Sequence, residues 1–199
     1  MIPIMKKLIL SLALGLLCVA GSCSRTENPY YFDGSVSQAV LERYLARAVT
    51  MSEFLTVDPY CNDGTYPDKA ADVVFIRNTG AKFIGRAIYR WGDEKVLTEP
   101  GFWAGAEALV GEVHAFDPDV IFQAAAFEAV YRDVNEVPVP AWAFEALGLP
   151  VEERNFDYSQ MLSPDGKYVD LWGPGGSVPD ITRVETQLWL MYLIGSYVD

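Results

Sequence analysis

Residues 80–94 read GAKFIGRAIYRWGDE. Ile84, Arg86 and Ile88 alternate with small and apolar neighbours in the manner of a strand. The run then ends on Tyr89, Arg90, Trp91, Gly92, Asp93 and Glu94. Aromatic and charged side chains gathered at a strand end form either a solvated turn or a site, and the surrounding chain bears on which. Residues 118–131, PDVIFQAAAFEAVY, read as a second, nearly continuous apolar strand. Such a strand is buried on both faces, as in a parallel sheet. Between the two, Thr98, Glu99 and Pro100 open a helix, proline being tolerated in a first turn. Its faces are Phe102, Ala106, Leu109 and Val113, and Trp103, Val110 and His114.

The same patterning extends outward. Val36, Val40, Leu41, Tyr44, Leu45 and Ala48 follow helical spacing, with Asp33 or Ser35 as the N-cap. Residues 46–55, ARAVTMSEFL, are either the tail of that helix or a short strand. Residues 56–69, TVDPYCNDGTYPDK, are a turn-rich loop, followed by a helix over 68–79. A short helix over 140–147 and a long loop come next. Ser177 and Asp180 resemble a capping box opening a last helix with Ile181, Val184, Leu188, Met191, Tyr192 and Gly195.

The N-terminus carries an address. Lys6 and Lys7 precede an apolar run, Leu8 to Val19, too short to span a bilayer, and Ala20-Gly21-Ser22 supplies small residues before Cys23. This is a secretory signal over residues 1–22. Its end resembles the lipobox of bacterial lipoproteins, which implies lipidation of Cys23, a tether over residues 23–34 and a lipid-anchored location in the cell envelope. The plainer alternative is an ordinary signal peptide with an incidental cysteine. Cys18 would leave with the signal and Cys61 would be the one other cysteine in the mature chain, so export brings no disulfide framework.

The formal charge is −12 and becomes −14 in the mature chain, since Lys6 and Lys7 leave with the signal. So acidic a body is unsuited to nucleic acid, whose phosphates call for Lys and Arg. It is equally unsuited to lying on anionic lipid through a basic face. A hydrophobic fraction of 51% and a mean hydropathy of +0.11 supply core for one domain.

Strands alternating with helices imply right-handed βαβ units. Only two or three strands are visible, and the chain stops after an apolar helix, so the expectation is the N-terminal part of something larger. GAKFIGRAIYRWGDE, FDPDVIFQAAAFEAVY (116–131) and SVPDITRVETQLWLMYL (177–193) together resemble exported bacterial proteins with a glycoside-hydrolase-like (β/α)8 barrel. That resemblance implies the first half of a TIM-type barrel over residues 35–199.

In such a barrel the site lies where strands end. Trp91, Asp93 and Glu94 follow one strand, and Gln123, Phe127 and Glu128 end the next. The two packets would face one mouth, with Trp172 also flanking a loop. Aromatic faces cover the C–H side of a sugar ring, while a carboxylate protonates the leaving oxygen or attacks the anomeric carbon. Glu128, after the apolar QAAAF, is the candidate acid, its pKa raised by its surroundings. Its alternative role is an ion pair with Arg86, Arg90 or Arg132. Asp93 and Glu94 read more plainly as loop charges, and Arg86 as an inward residue in a structural ion pair. Trp91, Trp103, Trp142 and Trp172 are ordinarily core, with Trp91 and Trp172 the better placed for ligand.

No metal or cofactor is called for. His114 is the single histidine, which excludes a multi-His metal site. Residues 58–68, DPYCNDGTYPD, have calcium-loop colouring, but Tyr60 stands where an oxygen ligand is needed. Residues 173–180, GPGGSVPD, lack phosphate-loop spacing. Two functions follow. One is a lipoprotein glycosidase using Glu128 and a second carboxylate outside this chain. The other is a non-catalytic lipoprotein that binds an oligosaccharide or polysaccharide through the same aromatic mouth.

Overall fold

The computed structural model describes residues 28–61 and 69–198. The expected signal segment, Cys23 and most of the 58–68 stretch lie outside the described residues. Helix α1, Gln38–Leu45, is capped by Ser37, whose hydroxyl accepts the Val40 N–H. Of its residues only Tyr44 is buried, so the expected apolar face of Val36, Leu41 and Leu45 points to solvent. Strand β1, Ala48–Thr50, resolves the helix-or-strand alternative in favour of a strand.

Helix α2, Lys69–Thr79, leads to strand β2, Phe83–Tyr89. A 3₁₀ turn, Glu94–Thr98, precedes helix α3, Pro100–His114, which buries the Phe102, Ala106, Leu109 and Val113 face read from its spacing. Strand β3, Ile121–Ala125, completes a parallel sheet in the order β1-β2-β3. Val49, Ile84 and Phe122 stand in register and face the core, where α2 and α3 pack together. Thr50 and Gln123, on the other face, are exposed. The sheet is therefore covered on one side only, and β3 is not the doubly buried strand its composition implied.

A bulge re-aims β2. Ile84 pairs with Phe122 and Ile88 with Ala124, so four steps along β2 match two along β3. Arg86 absorbs the difference at φ +55°, in the left-handed region. Ala87 and Ile88 are consequently both buried while Arg86 is exposed. No ion pair to Arg86 is found among the described residues, so the inward structural pair expected for it is replaced by an outward guanidinium.

After β3 the chain leaves the parallel sheet. It bends over 126–129 and forms β4, Val130–Tyr131, which pairs antiparallel with β5, Gly176–Ser177. A second 3₁₀ turn, Arg132–Glu136, and two short helices, α4 (Ala141–Ala146) and α5 (Tyr158–Met161), lie between. The last helix, α6, is Val184–Ser196. It starts later than expected, because Asp180 closes a local turn on the Thr182 N–H and hydroxyl rather than capping the helix.

This overturns the half-barrel expectation. A (β/α)8 half would add its next strand to the free edge of β3 in parallel. Here the sheet stops at three strands, and a separate two-stranded antiparallel pair follows. The architecture is α/β, with one core running from Phe54 and Ile76 through Phe102 and Val130 to Phe144, Met161 and Trp189.

Residues 150–183 are largely irregular and held by side chains. Arg154 makes a bidentate pair with Glu185, both contacts at 2.8 Å, and Glu185 also accepts the Asp157 N–H at 2.8 Å. Glu185 is thus a structural residue, paired with Arg154 and joined to the backbone of the 154–157 segment.

Candidate functional site

Sheet polarity assembles the site. In open α/β sheets, side chains and loops beyond the carboxyl ends of strands form the ligand crevice. At that end β2 delivers Tyr89 and then Trp91, and the bend after β3 delivers Phe127 and Glu128. The ring centroids of Tyr89 and Phe127 are 5.2 Å apart at 88°, and those of Trp91 and Phe127 are 5.8 Å apart at 37°. Trp172, from the loop before β5, stands edge-to-face to Trp91 at 6.0 Å and 82°. These are the spacings of interacting aromatic pairs. The Arg86 guanidinium, turned outward by the bulge, lies 5.4 Å from the Tyr89 ring and 5.2 Å from the Phe127 ring.

The support beneath the rings is built from backbone. Arg90 is buried and donates to the Gly92 and Tyr60 carbonyls at 2.9 and 2.6 Å, which pins the turn that carries Trp91. Gly92 takes φ +76° in that turn. On the other side, the Trp172 N–H donates to the Gly176 carbonyl at 3.0 Å. Gly176 lies so close to the Tyr131 ring that a Cβ would overlap it, and the same ring flanks Gly92. Tyr131 is therefore the wedge between the segments bearing the two tryptophans.

The residues singled out from sequence divide into two groups. Trp91 and Trp172 come together and stay 44% and 41% exposed. Gln123 is exposed on β3, and its carboxamide oxygen accepts the Arg86 N–H at 3.2 Å. Glu128 is exposed on the bend next to Phe127, so the apolar enclosure read from QAAAF is not found around it. Asp93 is also exposed, 3.6 Å from Arg90 and 3.9 Å from Lys95, in the loop-charge role that was the plainer reading.

Glu94 turns the other way. It is 2% exposed, and one oxygen accepts the Tyr131 N–H at 3.0 Å while Oε2 is buried without a hydrogen-bond partner among the described residues. Burial pushes its carboxyl up to about 7, against the opposing pull of the hydrogen bonds it accepts and of Arg90. The raised carboxyl expected at Glu128 is thus found at Glu94, out of reach of a ligand on the rings. Its sequence signal was weak, because nothing in WGDE shows which of two adjacent acids turns inward.

Tyr131 and the outward Arg86 went unread. The first is an ordinary strand residue in sequence, and the second depends on a bulge that Arg does not announce. Trp103 donates to the Leu97 carbonyl and packs on Phe102, in keeping with a core role. His114 bonds the Val120 carbonyl at 2.9 Å at the end of α3. Among the described residues no group of three His, Cys, Asp or Glu side chains could hold a metal, and no helix is long and apolar enough to cross a membrane.

The arrangement offers exposed aromatic rings, a cation, an amide and a carboxylate. It is suited to holding a ligand with one apolar and one polar surface. No protein-family model, curated protein or solved structure matches this chain.

Proposed function

We propose that this chain is an exported, lipid-anchored protein that binds saccharide on the Trp91–Phe127–Trp172 cluster. The observation that carries the reading is the contact between Trp91 and Trp172, two large side chains that stay more than two-fifths exposed while packed on each other. Exposed rings held against a rigid turn lose little freedom on binding, and their faces match the C–H side of a pyranose. Gln123, Glu128 and Arg86 flank the rings and supply hydrogen bonds to hydroxyl groups.

Binding is favoured over hydrolysis. Cleavage needs two carboxyl groups across the glycosidic bond, roughly 5–9.5 Å apart. Glu94, the carboxyl with the raised pKa, is sealed beneath the surface. The anchor rests on the order Lys6-Lys7, apolar run, Ala20-Gly21-Ser22-Cys23.

Tryptophan fluorescence titrated with a panel of soluble oligosaccharides tests the reading. The expected result is a saturable change for at least one oligosaccharide with no release of reducing ends. No response to any glycan would remove the binding reading, and release of reducing ends would restore the hydrolase.

A further inference from the structure

The stretch from Asn28 to Leu45 lies across the opposite end of the sheet from the aromatic cluster. The Asn28 amide donates to Asp119 at 2.7 Å, two residues before β3 begins. Lys82, the residue before β2, sits 4.5 Å from the Tyr30 ring and pairs with Asp117 and Asp119. Tyr30 packs edge-on against Tyr44 of α1 at 5.1 Å, and Phe32 does so at 6.2 Å. This segment therefore covers the amino ends of β2 and β3. The rings of the candidate site lie beyond their carboxyl ends, at the far end of a strand about 20 Å long.

The same segment leaves its apolar side chains outside. Tyr31 is 68% exposed, Phe32 39%, Val36 45%, Leu41 47% and Leu45 55%. Leu41 and Leu45 are four apart on α1 and share a face. In a mature body of charge −14 this region is close to neutral. Residues 28–48 hold Asp33 and Glu42 against Arg43 and Arg47, and the Lys82–Asp117–Asp119 group adds one negative charge. It is an apolar surface with little charge to repel lipid headgroups.

Chain length names the occupant. Asn28 is five residues beyond Cys23, a reach of at most about 18 Å even fully extended. Acyl chains on Cys23 would hold Tyr31, Phe32 and α1 within a few residues' span of the bilayer at all times. Aromatic and leucine side chains of such a face sink into the headgroup boundary.

We propose that the face formed by Tyr31, Phe32, Val36, Leu41 and Leu45 lies on the lipid surface, so that the aromatic site at the other end of the sheet points away from the membrane. The proposal rests on the lipidation reading of Cys23. It makes the tether a docked base rather than a loose leash, and it gives the exposed leucines of α1 a role that the fold alone does not.

The test uses the full-length protein, processed in a bacterial host and reconstituted in phosphatidylcholine–phosphatidylglycerol vesicles. Leu41→Cys, Leu45→Cys and Glu128→Cys, each with Cys61→Ser, carry a polarity-sensitive fluorophore. Labels at 41 and 45 are expected to shift to the blue and to be quenched by doxyl-labelled lipid, while the label at 128 stays water-like and unquenched. Mass spectrometry of the same samples reads acylation independently. Acylated protein with water-like labels at 41 and 45 overturns the docked face and leaves the lipidation reading standing. An unmodified Cys23 overturns both. A blue shift without lipid quenching would mean that a second copy covers the face, and it would overturn the proposal too.

Discussion

The Glu94 carboxyl accepts the Tyr131 N–H at 3.0 Å, and its second oxygen has no hydrogen-bond partner among the described residues. This joint ties the turn that carries Trp91 to β4, and β4 pairs with the strand whose Gly176 holds Trp172. The two halves of the aromatic cluster thus meet over a buried acid.

That acid gives the fold a pH dependence of definite sign. Its carboxyl is raised from 4.5 to about 7, so between those values the folded chain keeps a proton that the unfolded chain has released. The stabilisation is complete below about 4.5 and is lost as pH rises to about 7. The total is about 3 kcal/mol. Urea unfolding at pH 5 and pH 8 measures it. Glu94→Gln should flatten this dependence and be the more stable protein at pH 8. An unchanged pH slope in the variant would assign the dependence to another group.

Arg154 and Glu185 predict a different failure. Glu185 is 7% exposed at its side chain and Arg154 31%, so truncating the arginine leaves a carboxylate held, among the described residues, by the Asp157 N–H alone. Breaking a buried pair typically costs 3–5 kcal/mol, and the exposure of Arg154 lowers that to about 2. Arg154→Met should lose this much in denaturant unfolding, and Arg154→Met with Glu185→Leu should recover part of it. A neutral single variant would show that the 150–157 segment is held by its other contacts.

Arg86 separates stability from binding. Its φ of +55° is strained for any residue but glycine. Arg86→Gly relieves that strain and loosens the unfolded chain, leaving stability within about 1 kcal/mol of the parent. The variant also removes the guanidinium from the Tyr89 and Phe127 rings, so saccharide affinity should fall about fivefold. Thermal melts and a binding titration on one sample check both halves. Unchanged affinity would exclude Arg86 from the site.

Much of the fold was legible where local pattern and tertiary packing agree. The faces of α3, the βαβ order and the strand through Ile84 and Ile88 were all readable from periodicity, because burial on one side imposes it. The half-barrel was not there to be read. Its expectation came from a resemblance carried in part by residues 116–131, and that run proves to hold a five-residue strand, a bend and a two-residue strand of a different sheet. Alanine composition tells little between a buried strand and a bend that packs small residues. At the site, Trp91, Phe127 and Trp172 announced themselves as aromatic groups beside turns. The inversion of Glu94 and Glu128 did not, since Glu94 opens a 3₁₀ turn and Glu128 stands on an irregular bend, and neither setting shows in sequence which way the acid turns.

Isothermal titration of an oligosaccharide against the parent protein, Trp172→Ala and Trp142→Ala isolates the contribution of the exposed cluster to binding. Trp142 lies away from the cluster, against Tyr192 and Gly195. A central aromatic contact contributes about 2 kcal/mol to binding. Trp172→Ala is expected to weaken the complex about thirtyfold, while Trp142→Ala binds as the parent does. Equal affinities for parent and Trp172→Ala, with both variants folded, would contradict binding on the cluster.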